Sequence, residues 1–544
     1  MNGRGCVVTT LGLVLLLPAS LVNGDGAHAN GTERRGPKTT TVVVTMRDQS
    51  ALEGRHIKNR KARQRAVITD LLATATAGQA SLRRDLDRWR RLGTVVDYEP
   101  LWVVDAVTVT ATVEVVAAIA ARPDVAEVAP DAIEIVPSLA PGTINQATIG
   151  APEVWALGSS GQGVVVATLD SGADLSHPDL ESRWRGGSNS WFDPYGQHPS
   201  SPVDLSGHGT ATLGVLVGGD VSGSTLGTAP GAKWVSARIW DDAGRSTTSA
   251  IHRAFQWLLD PDGDPRTNDA PRVVNGSWSV GSTPGCDEVF RPDVQALVAA
   301  GISPVFAAGN FGTAAGSGAS PANYPESIAV GAVRTDGLSV LPSSSRGPTS
   351  CGGPERVFPD VVAPGESIVT TERFGQYQSL SGTSVAAPHV AGTLALMVAA
   401  HPSLTPAQQR ASVLSSALDL GATGPDDTFG LGRVSASAAY AASASPPDLA
   451  LSVEPSLVSA NPGDRVVFDV TTQAQNGFEG AVQLSAESHG GLGLDLSADS
   501  FGQGSGQATL TVSVPTGATS GDHRITVVAS SAGQTWSSTA TVAV

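Results

Sequence analysis

The feature that most constrains the fold is a long region, residues 144–442, in which short apolar segments alternate with helical ones. This alternation is typical of a mainly parallel sheet covered by helices, because each return to a parallel strand needs a crossover connection. The sequence predicts strands at Val164–Leu169, Lys233–Arg238, Val273–Ser277, Ser303–Ala307 and Ser327–Val333. It predicts helices at Thr248–Leu259, Val289–Ala300, Ser384–Ala400 and Pro406–Ala417.

Two smaller regions flank this α/β domain, as a chain of 544 residues is expected to divide into several domains. Residues 40–137 predict a compact α+β unit: a strand, a long charged helix over 51–91, two strands, a short helix and a last strand. After a low-complexity linker at 443–447, residues 448–544 carry short alternating strands separated by Pro-Gly, Asn-Gly and Gly-Gly turns. That pattern predicts an all-β sandwich.

The amino terminus predicts export. Residues 1–29 contain Arg4, a mainly apolar run and the triplet Ala27-His28-Ala29, the pattern of a signal peptide and its cleavage site. Elsewhere there is no uninterrupted apolar stretch of about 18 residues, so no membrane span is expected. The formal net charge of −16 argues against a nucleic-acid partner, since phosphate binding needs clustered basic residues.

Cys286 and Cys351 are the two cysteines that remain after the leader. Because secreted proteins fold in an oxidising compartment, we expect these two residues to form a disulfide. The alternative is a pair of buried thiols.

Three polar residues, each with glycine nearby, are candidates for chemistry. Asp170 ends a buried strand, His208 lies between two glycines, and Ser384 opens a predicted helix. Each has a structural explanation: strands of parallel sheets often end in Asp, a lone histidine is usually solvated, and a serine at a helix start is usually an N-cap. Their order, Asp, His, Ser, instead favours an acid, a base and a nucleophile acting together.

The segments around these residues, DSG, GHGT and GTSxAAPH, resemble those of subtilisin-like serine peptidases, and the resemblance spans residues 144–442. It implies that Asp170 orients His208, that His208 takes a proton from Ser384, and that Ser384 attacks the peptide carbonyl. The segment ending at Asn310 resembles the one that supplies the oxyanion-hole amide. The stretch from Trp184 to Tyr195 is similar to the bacillopeptidase F-like group within this family.

The resemblance also implies a substrate pocket with two walls. We expect a roomy, uncharged pocket, with its floor at Ala319–Ala322, that prefers large apolar or aromatic side chains. The expected wall residues are Ser277, Trp278, Ser279, Ala307, Ala308 and Gly309.

No cofactor is expected for the chemistry, although structural Ca²⁺ is possible for the family. Acids at Asp174, Asp179 and Asp193 offer oxygen ligands, but no spacing among them defines a metal site.

As a whole, the sequence predicts a secreted, monomeric serine endopeptidase that acts on proteins or peptides and is made as a self-processing zymogen. Residues 40–137 resemble the inhibitor-like propeptides of these enzymes, and residues 448–544 resemble immunoglobulin-like modules. Two places depart from the family pattern: the chain reads His208-Gly209-Thr210-Ala211-Thr212-Leu213-Gly214 where HGTHVAG is usual, and Val385 follows the nucleophile where methionine is usual. The alternatives are an inactive peptide-binding homologue and a sedolisin-like acid peptidase with a glutamate base.

Overall fold

The computed structural model describes residues 39–50, 52, 57, 59–133, 135–136, 145–445, 448–476, 478, 480–488, 491–502, 504–531 and 534–544. The predicted signal peptide at 1–29 lies outside these residues. So do residues 137 and 144, which bound two of the predicted domains, and residues 446–447 of the predicted linker.

Residues 39–133 form a four-stranded antiparallel sheet covered by three helices, with strand order β2-β3-β1-β4. The strands are β1 (Thr39–Met46), β2 (Val95–Leu101), β3 (Ala106–Thr112) and β4 (Val125–Pro130). The helices are α1 (Arg60–Gly78), α2 (Ala80–Arg91) and α3 (Val113–Ala120). Two short strands follow, β5 (Ala132–Ile133) and β6 (Ile135–Val136).

The single long helix predicted for residues 51–91 is wrong, because α1 ends at Gly78 and a separate helix begins at Ala80. The two helices serve different cores. Ile68 of α1 packs into the cluster that also contains the helices of the α/β domain, whereas Leu82 and Leu86 of α2 pack onto the antiparallel sheet itself. One straight helix cannot direct its apolar side chains to both places.

The α/β domain contains the expected parallel sheet, with seven strands in the order β15-β14-β13-β11-β7-β9-β8. Its neighbours all pair in parallel. The strands are β7 (Val165–Asp170), β8 (Trp191–Phe192), β9 (Lys233–Arg238), β11 (Val273–Gly276), β13 (Ser303–Ala307), β14 (Ile328–Val333) and β15 (Val361–Pro364). Outside this sheet lie β10 (Ser246–Thr247), β12 (Ser279–Val280) and the antiparallel hairpin of β16 (Ile368–Glu372) and β17 (Gln376–Leu380).

Helices cover both faces of this sheet. Alternate residues of β7 enter different clusters, with Ala167 and Leu169 in one and Val166 in the other, which is the two-sided burial expected of a parallel strand. The helices are α4 (Gln146–Ile149), α5 (Ala151–Ala156), α6 (Pro178–Glu181), α7 (His208–Val217), α8 (Thr248–Leu259), α9 (Arg291–Ala300), α10 (Thr383–Ala400), α11 (Pro406–Ser415) and α12 (Ala436–Ala442).

Helix α7 is the main element that the sequence did not predict. Every residue from His208 to Val217 is buried, so the segment has no polar face to produce a helical period. Helix α10 is buried in the same way over most of its length. In the part of the chain that the structure describes, α10 is the one helix long and apolar enough to cross a membrane, and it lies inside this domain.

Residues 448–544 form two sheets, ordered β18-β20-β24-β22 and β19-β26-β25-β21-β23. Phe468 and Leu510 of the first sheet and Ile525 and Val527 of the second belong to one hydrophobic cluster. An immunoglobulin-like identity for this region stays a prediction. The strands are β18 (Asp448–Glu454), β19 (Leu457–Ser459), β20 (Arg465–Gln475), β21 (Val482–Ser488), β22 (Gly493–Leu496), β23 (Ser500–Phe501), β24 (Gly506–Ser513), β25 (Asp522–Ser531) and β26 (Gln534–Ala543).

Cys286 and Cys351 form a disulfide across 65 residues of sequence. By the chain-entropy estimate, a loop of this size stabilises the folded state by about 4 kcal/mol. We therefore expect the double variant Cys286→Ala/Cys351→Ala to unfold at a clearly lower temperature, measured by circular dichroism. The unsubstituted chain treated with a reductant is the matched control and should show a similar decrease. An unchanged unfolding temperature in both samples would contradict the estimate.

Candidate active site

Asp170 and His208 form a buried pair at the carboxyl end of β7, the edge at which parallel α/β sheets commonly place their sites. His208 Nδ1 lies 2.7 Å from Asp170 Oδ1, and that oxygen also accepts the backbone N–H of Ser171 at 2.7 Å. The side chains of His208 and Asp170 are 1% and 0% exposed. With Nδ1–H donated to the carboxylate, the lone pair of the imidazole is on Nε2.

The environment of His208 makes it a stronger base. Burial alone would lower its pKa, but the charge of Asp170, the hydrogen bond to Asp170 and the charge of Asp204 together hold the pKa of His208 above its ordinary value. His208 Nε2 is buried and has no hydrogen-bond partner among the described residues. A buried nitrogen with a raised pKa and no partner is suited to accept a proton.

A left-handed residue turns the chain into α7. Gly207, at the N-cap, has φ 91°, and a Cβ at this position would lie 2.5 Å from Oε1 of Glu372. The left-handed conformation therefore favours glycine here, and a larger residue would also have to displace the Glu372 carboxylate. His208 is thereby fixed as the first residue of the helix.

Ser384 lies in the first turn of α10, where Pro388 shapes its surroundings. Because proline has no N–H, the carbonyl of Ser384, four residues earlier, lacks its helical donor. The hydroxyl of Ser277 fills that position by donating to the Ser384 carbonyl at 2.7 Å. In return, the Ser384 hydroxyl donates to the Ser277 carbonyl at 3.1 Å. The Ser384 hydroxyl thus rests on Ser277 in this structure, not on His208.

A small apolar cluster joins the two helices that carry His208 and Ser384. It contains Ala211 and Val215 of α7, Ile368 and Leu380 of the hairpin, and Val385 of α10. Ala211 and Val385, two of the residues that depart from the family pattern, are therefore in the same cluster. Neither supplies a polar group, and both help to set the spacing between the histidine and serine helices.

Asn310 lies beside the start of α10. Its side-chain amide donates to the hydroxyl of Thr383 at 2.9 Å, and its side-chain oxygen accepts the Thr383 backbone N–H at 2.9 Å. Because Thr383 immediately precedes Ser384, these two hydrogen bonds hold the Asn310 amide close to the serine. A third donor, the N–H of Gly309, reaches the same hydroxyl at 3.3 Å.

The predicted pocket walls lie next to Ser384, but they are not equivalent. Ser277 is joined to Ser384 as described above, and Ser279 belongs to strand β12. Trp278 is only 1% exposed, and its ring packs edge-on against Phe290 and Phe306. The indole therefore supports the wall from the core side. The other wall residues are small: Ala307 and Ala308 are buried, and Gly309 has φ 107°.

The disulfide lies against the predicted pocket floor. Asp287, next to Cys286, donates its N–H to the Ser320 hydroxyl at 2.9 Å, and the Asn323 amide donates to the carbonyl of Gly285 at 2.9 Å. These bonds fasten the segment around Cys286 to residues 319–323, where Ala319 and Ala322 are buried.

Oxygen ligands for a cation are found elsewhere than expected. The carboxylates of Asp174, Asp179 and Asp193 already accept protein donors. Among the described residues, one acidic group has carboxylate oxygens within 4.8 Å of one another, the type of ligand that Ca²⁺ prefers. It consists of Asp260, Asp262 and Asp269. Burial and the neighbouring acids raise the pKa of Asp260 to about 6.

The sequence did not single out Asp204, Ser171 or Thr383, although all three contact the site. Asp204 accepts the N–H groups of the second and third residues that follow it, which is the hydrogen-bonding pattern of an Asx turn. The signal that could have identified Asp204 is an Asp two residues before a Ser-Gly pair that directly precedes a histidine. Thr383 is visible only once α10 is in place beside Asn310.

The chain belongs to the subtilase family, because the sequence model of that family (peptidase S8) matches residues 161–432, half of the chain. The matched range contains Asp170, His208, Asn310 and Ser384. The class predicted from the motifs, a subtilisin-like serine peptidase, is therefore confirmed.

Individual relatives support this assignment. Bacillopeptidase F of Bacillus subtilis (strain 168) is 32% identical over 410 residues, which cover 68% of this chain and 28% of the relative. Subtilisin E of the same organism is 37% identical over 275 residues, 50% of this chain and 65% of the relative. Subtilisin of Bacillus pumilus is 36% identical over 277 residues, 51% of this chain and 91% of the relative. The predicted similarity to bacillopeptidase F is confirmed, although the match spans little more than a quarter of that protein.

We predict that the imidazole of His208 titrates above the ordinary histidine value, and that Asp170→Asn lowers its pKa. The substitution removes the carboxylate charge and leaves burial, which opposes protonation. The measurement is an NMR pH titration of isotope-labelled histidine side chains in the full chain. His389 is an internal control, since burial lowers its pKa to about 4 and it lies away from Asp170 in α10. A His208 titration that is identical with and without the carboxylate would contradict this prediction.

Proposed function

We propose that this protein is a secreted serine endopeptidase that hydrolyses peptide bonds in proteins, with Asp170, His208 and Ser384 as its catalytic triad. The observation that carries the proposal is the buried hydrogen bond of 2.7 Å between His208 Nδ1 and Asp170 Oδ1, on a helix packed against the one that carries Ser384. The membership of the chain in the subtilase family supports the same reaction class.

In the proposed mechanism, the Ser384 hydroxyl leaves the Ser277 carbonyl and donates to His208 Nε2. Oγ then attacks the peptide carbonyl while His208 takes its proton, and Asp170 stabilises the imidazolium. His208 returns the proton to the leaving amine, which departs and leaves an acyl-enzyme. Water, activated by the same base, releases the acid product.

The proposed oxyanion hole consists of the side-chain amide of Asn310 and the backbone N–H of Ser384. Negative charge develops on the carbonyl oxygen during attack, and donors fixed beforehand stabilise it at little reorganisation cost. The two hydrogen bonds between Asn310 and Thr383 support this role, because they hold the amide in place. Ser384 also lies in the first turn of α10, where the helix dipole favours negative charge.

The proposed pocket for the side chain before the cleaved bond lies between Ser277–Ser279 and Ala307–Gly309. These walls carry no charge, and their small side chains leave room, so we propose a preference for large apolar or aromatic residues. A peptide-library profile that favours arginine would contradict it.

Residues 40–137 are proposed to be an inhibitory propeptide. Strand β6 (Ile135–Val136) pairs antiparallel with β12, which contains the wall residue Ser279. Strand β5 pairs antiparallel with β10 (Ser246–Thr247). The segment that carries β5 and β6 thus pairs with both β10 and β12. An extended substrate is proposed to bind in the same place, so this pairing supports inhibition before cleavage.

The rest of this unit docks on helices α8 and α9. Asp131 accepts the backbone N–H and the hydroxyl of Ser249 at 2.7 Å each, in the first turn of α8. Arg60 donates to the carbonyl oxygens of Ala270 and Pro271 at 3.2 and 2.9 Å. These contacts support a unit that folds together with the enzyme domain.

The remaining parts of the proposal follow the sequence analysis. We propose a signal peptide at residues 1–29, a peptidase domain at 144–442, a linker at 443–447 and an immunoglobulin-like module at 448–544. The enzyme is proposed to act outside the cell as a monomer and to need no cofactor for the reaction, and structural Ca²⁺ remains part of the proposal.

A fluorophosphonate probe is expected to label Ser384 in the purified, matured protein, because the probe reacts with a serine hydroxyl activated by a neighbouring base. Peptide mapping by mass spectrometry identifies the modified residue. Ser384→Ala and His208→Ala should abolish the label, and Ser384→Ala should also leave the chain unprocessed. The matched control is Ser381→Ala, three residues earlier, which should still be labelled. A catalytically inactive homologue would show no label in any variant.

The dependence of activity on pH separates the histidine base from a glutamate base. We expect kcat/KM to fall as the pH drops through the raised pKa of His208, because a protonated imidazole cannot accept the serine proton. Hydrolysis of a fluorogenic peptide over a range of pH measures this. Maximal activity near about pH 4, where a carboxylate base still works, would favour a sedolisin-like enzyme instead.

Asn310→Ala is expected to lower kcat by about 10²–10³ with little change in KM, because the lost hydrogen bond strengthens only in the transition state. Steady-state kinetics on the same peptide measure the two constants separately. Retention of full kcat would exclude Asn310 from the oxyanion hole.

A further inference from the structure

We propose that Asp204 is a positioning residue of this site, whose buried carboxylate ties the turn after Asp170 to the first turn of the helix that begins with His208. The inference rests on the proposed function, because it assigns a role within the same triad. Asp204 is 5% exposed and lies four residues before His208.

The carboxylate of Asp204 accepts five hydrogen bonds. Oδ1 receives the Ser171 hydroxyl at 2.9 Å and the N–H groups of Ser206 and Gly207 at 2.9 and 2.8 Å. Oδ2 receives the N–H and the hydroxyl of Thr210 at 2.8 and 2.7 Å. Ser171 follows the acid of the triad, and the other three residues surround the histidine.

The two hydroxyl groups donate to Asp204. The Ser171 hydroxyl accepts the N–H of Gly209 at 2.8 Å, and the Thr210 hydroxyl accepts the N–H of Asp174 at 3.0 Å. Each hydroxyl then has its own proton left for Asp204. The five contacts are therefore all donated to the carboxylate by the surrounding residues.

These bonds bring together the two loops on which the Asp170–His208 distance depends. Without Asp204, the N–H groups of Ser206 and Gly207 lose their shared acceptor at the point where the chain turns into α7. Through Ser171, the same carboxylate also reaches the N–H of Gly209, the residue after His208. These hydrogen bonds thus fix the backbone before and after His208, and with it the position of the ring.

The charge of Asp204 adds a second effect. Asp204 and Asp170 are the two carboxylates that raise the pKa of His208. Other titratable groups also lie on the elements packed against α7. Glu372 binds Arg373, and Asp179 binds Tyr377. Burial keeps His389 neutral near pH 7. Glu181 is a further charged group, on α6. Trp240 contacts the ring of His208, and Arg238, Asp241 and Asp242 lie beside this tryptophan.

The test is Asp204→Asn in the matured enzyme, with kcat/KM measured against pH. We expect kcat at the pH optimum to fall by about 10-fold, because the side-chain nitrogen of the asparagine cannot accept a hydrogen bond from the N–H groups that it faces. We also expect the acid limb of the profile to move to lower pH, because removing the negative charge lowers the pKa of His208. Asp179→Asn is the matched control: it also removes a buried carboxylate that accepts a backbone N–H, and it should leave the limb in place.

A second variant, Ser171→Ala, keeps the charge and removes the link to Asp170. It should lower kcat and leave the acid limb unchanged. If Asp204→Asn does not fold, Ser171→Ala decides, and an unaltered kcat then overturns the proposal. The proposal is also overturned if Asp204→Asn folds and its acid limb coincides with that of the unsubstituted enzyme.

The proposed function and this inference can fail separately. An NMR titration of His208 in the Ser384→Ala chain reports the effect of Asp204→Asn without any catalytic turnover. A probe that does not label Ser384 rejects the proposed reaction, whereas an unshifted His208 titration rejects the role of Asp204.

Discussion

The arrangement of the site depends on one buried hydrogen bond, between the carboxylate at the end of β7 and the imidazole at the start of α7. Two ionisable groups that are almost fully withdrawn from water are costly unless each satisfies the other. The parallel sheet holds Asp170 at one end of this hydrogen bond, and the glycine turn before His208 holds the imidazole at the other end. The apolar cluster around Val385 and the hydrogen bonds between Asn310 and Thr383 then hold the start of α10, and with it Ser384, relative to this fixed pair.

Much of this was accessible from the sequence, and the exceptions have physical reasons. Five of the seven strands of the parallel sheet were predicted closely, because a continuous apolar run between turn signals is a strong pattern, whereas the short strands β8 and β15 were not predicted. Helix α7 was missed because it is short, is buried on all sides and contains two glycines and two threonines, which have low helix propensity. The long amino-terminal helix was predicted as one because its composition is uniform, and the break at Gly78 comes from two separate cores that only the folded chain reveals.

The candidate site divides in the same way. The motifs identified Asp170, His208, Ser384 and Asn310, since each has a distinctive local sequence. They could not indicate that the Ser384 hydroxyl rests on Ser277, or that Trp278 is a core residue behind the wall. The first fact depends on a contact between residues 107 positions apart, and the second on the packing of Trp278 against Phe290 and Phe306. Asp204 is an intermediate case. Its turn is formed by neighbouring residues and is visible in the sequence, whereas its hydrogen bond to Ser171 joins two distant segments.

The amino-terminal unit is held mainly by apolar burial and helix-end contacts. Ile68 and Val103 enter the same cluster as Phe255 and Leu297 of α8 and α9. Arg60 is partly buried at this contact, and burial together with the nearby guanidinium groups of Arg272 and Arg63 lowers its pKa to about 9. The unit and the enzyme domain thus share a core, which couples their folding.

Pro388 has a consequence for the contact between Ser384 and Ser277. A residue with an N–H at this position would restore the regular helical bond to Ser384 and compete with the Ser277 hydroxyl for that carbonyl. The strand and the helix would then be free to drift relative to each other. The amide group missing from one turn of α10 thereby couples the start of this helix to the segment that carries Ser277.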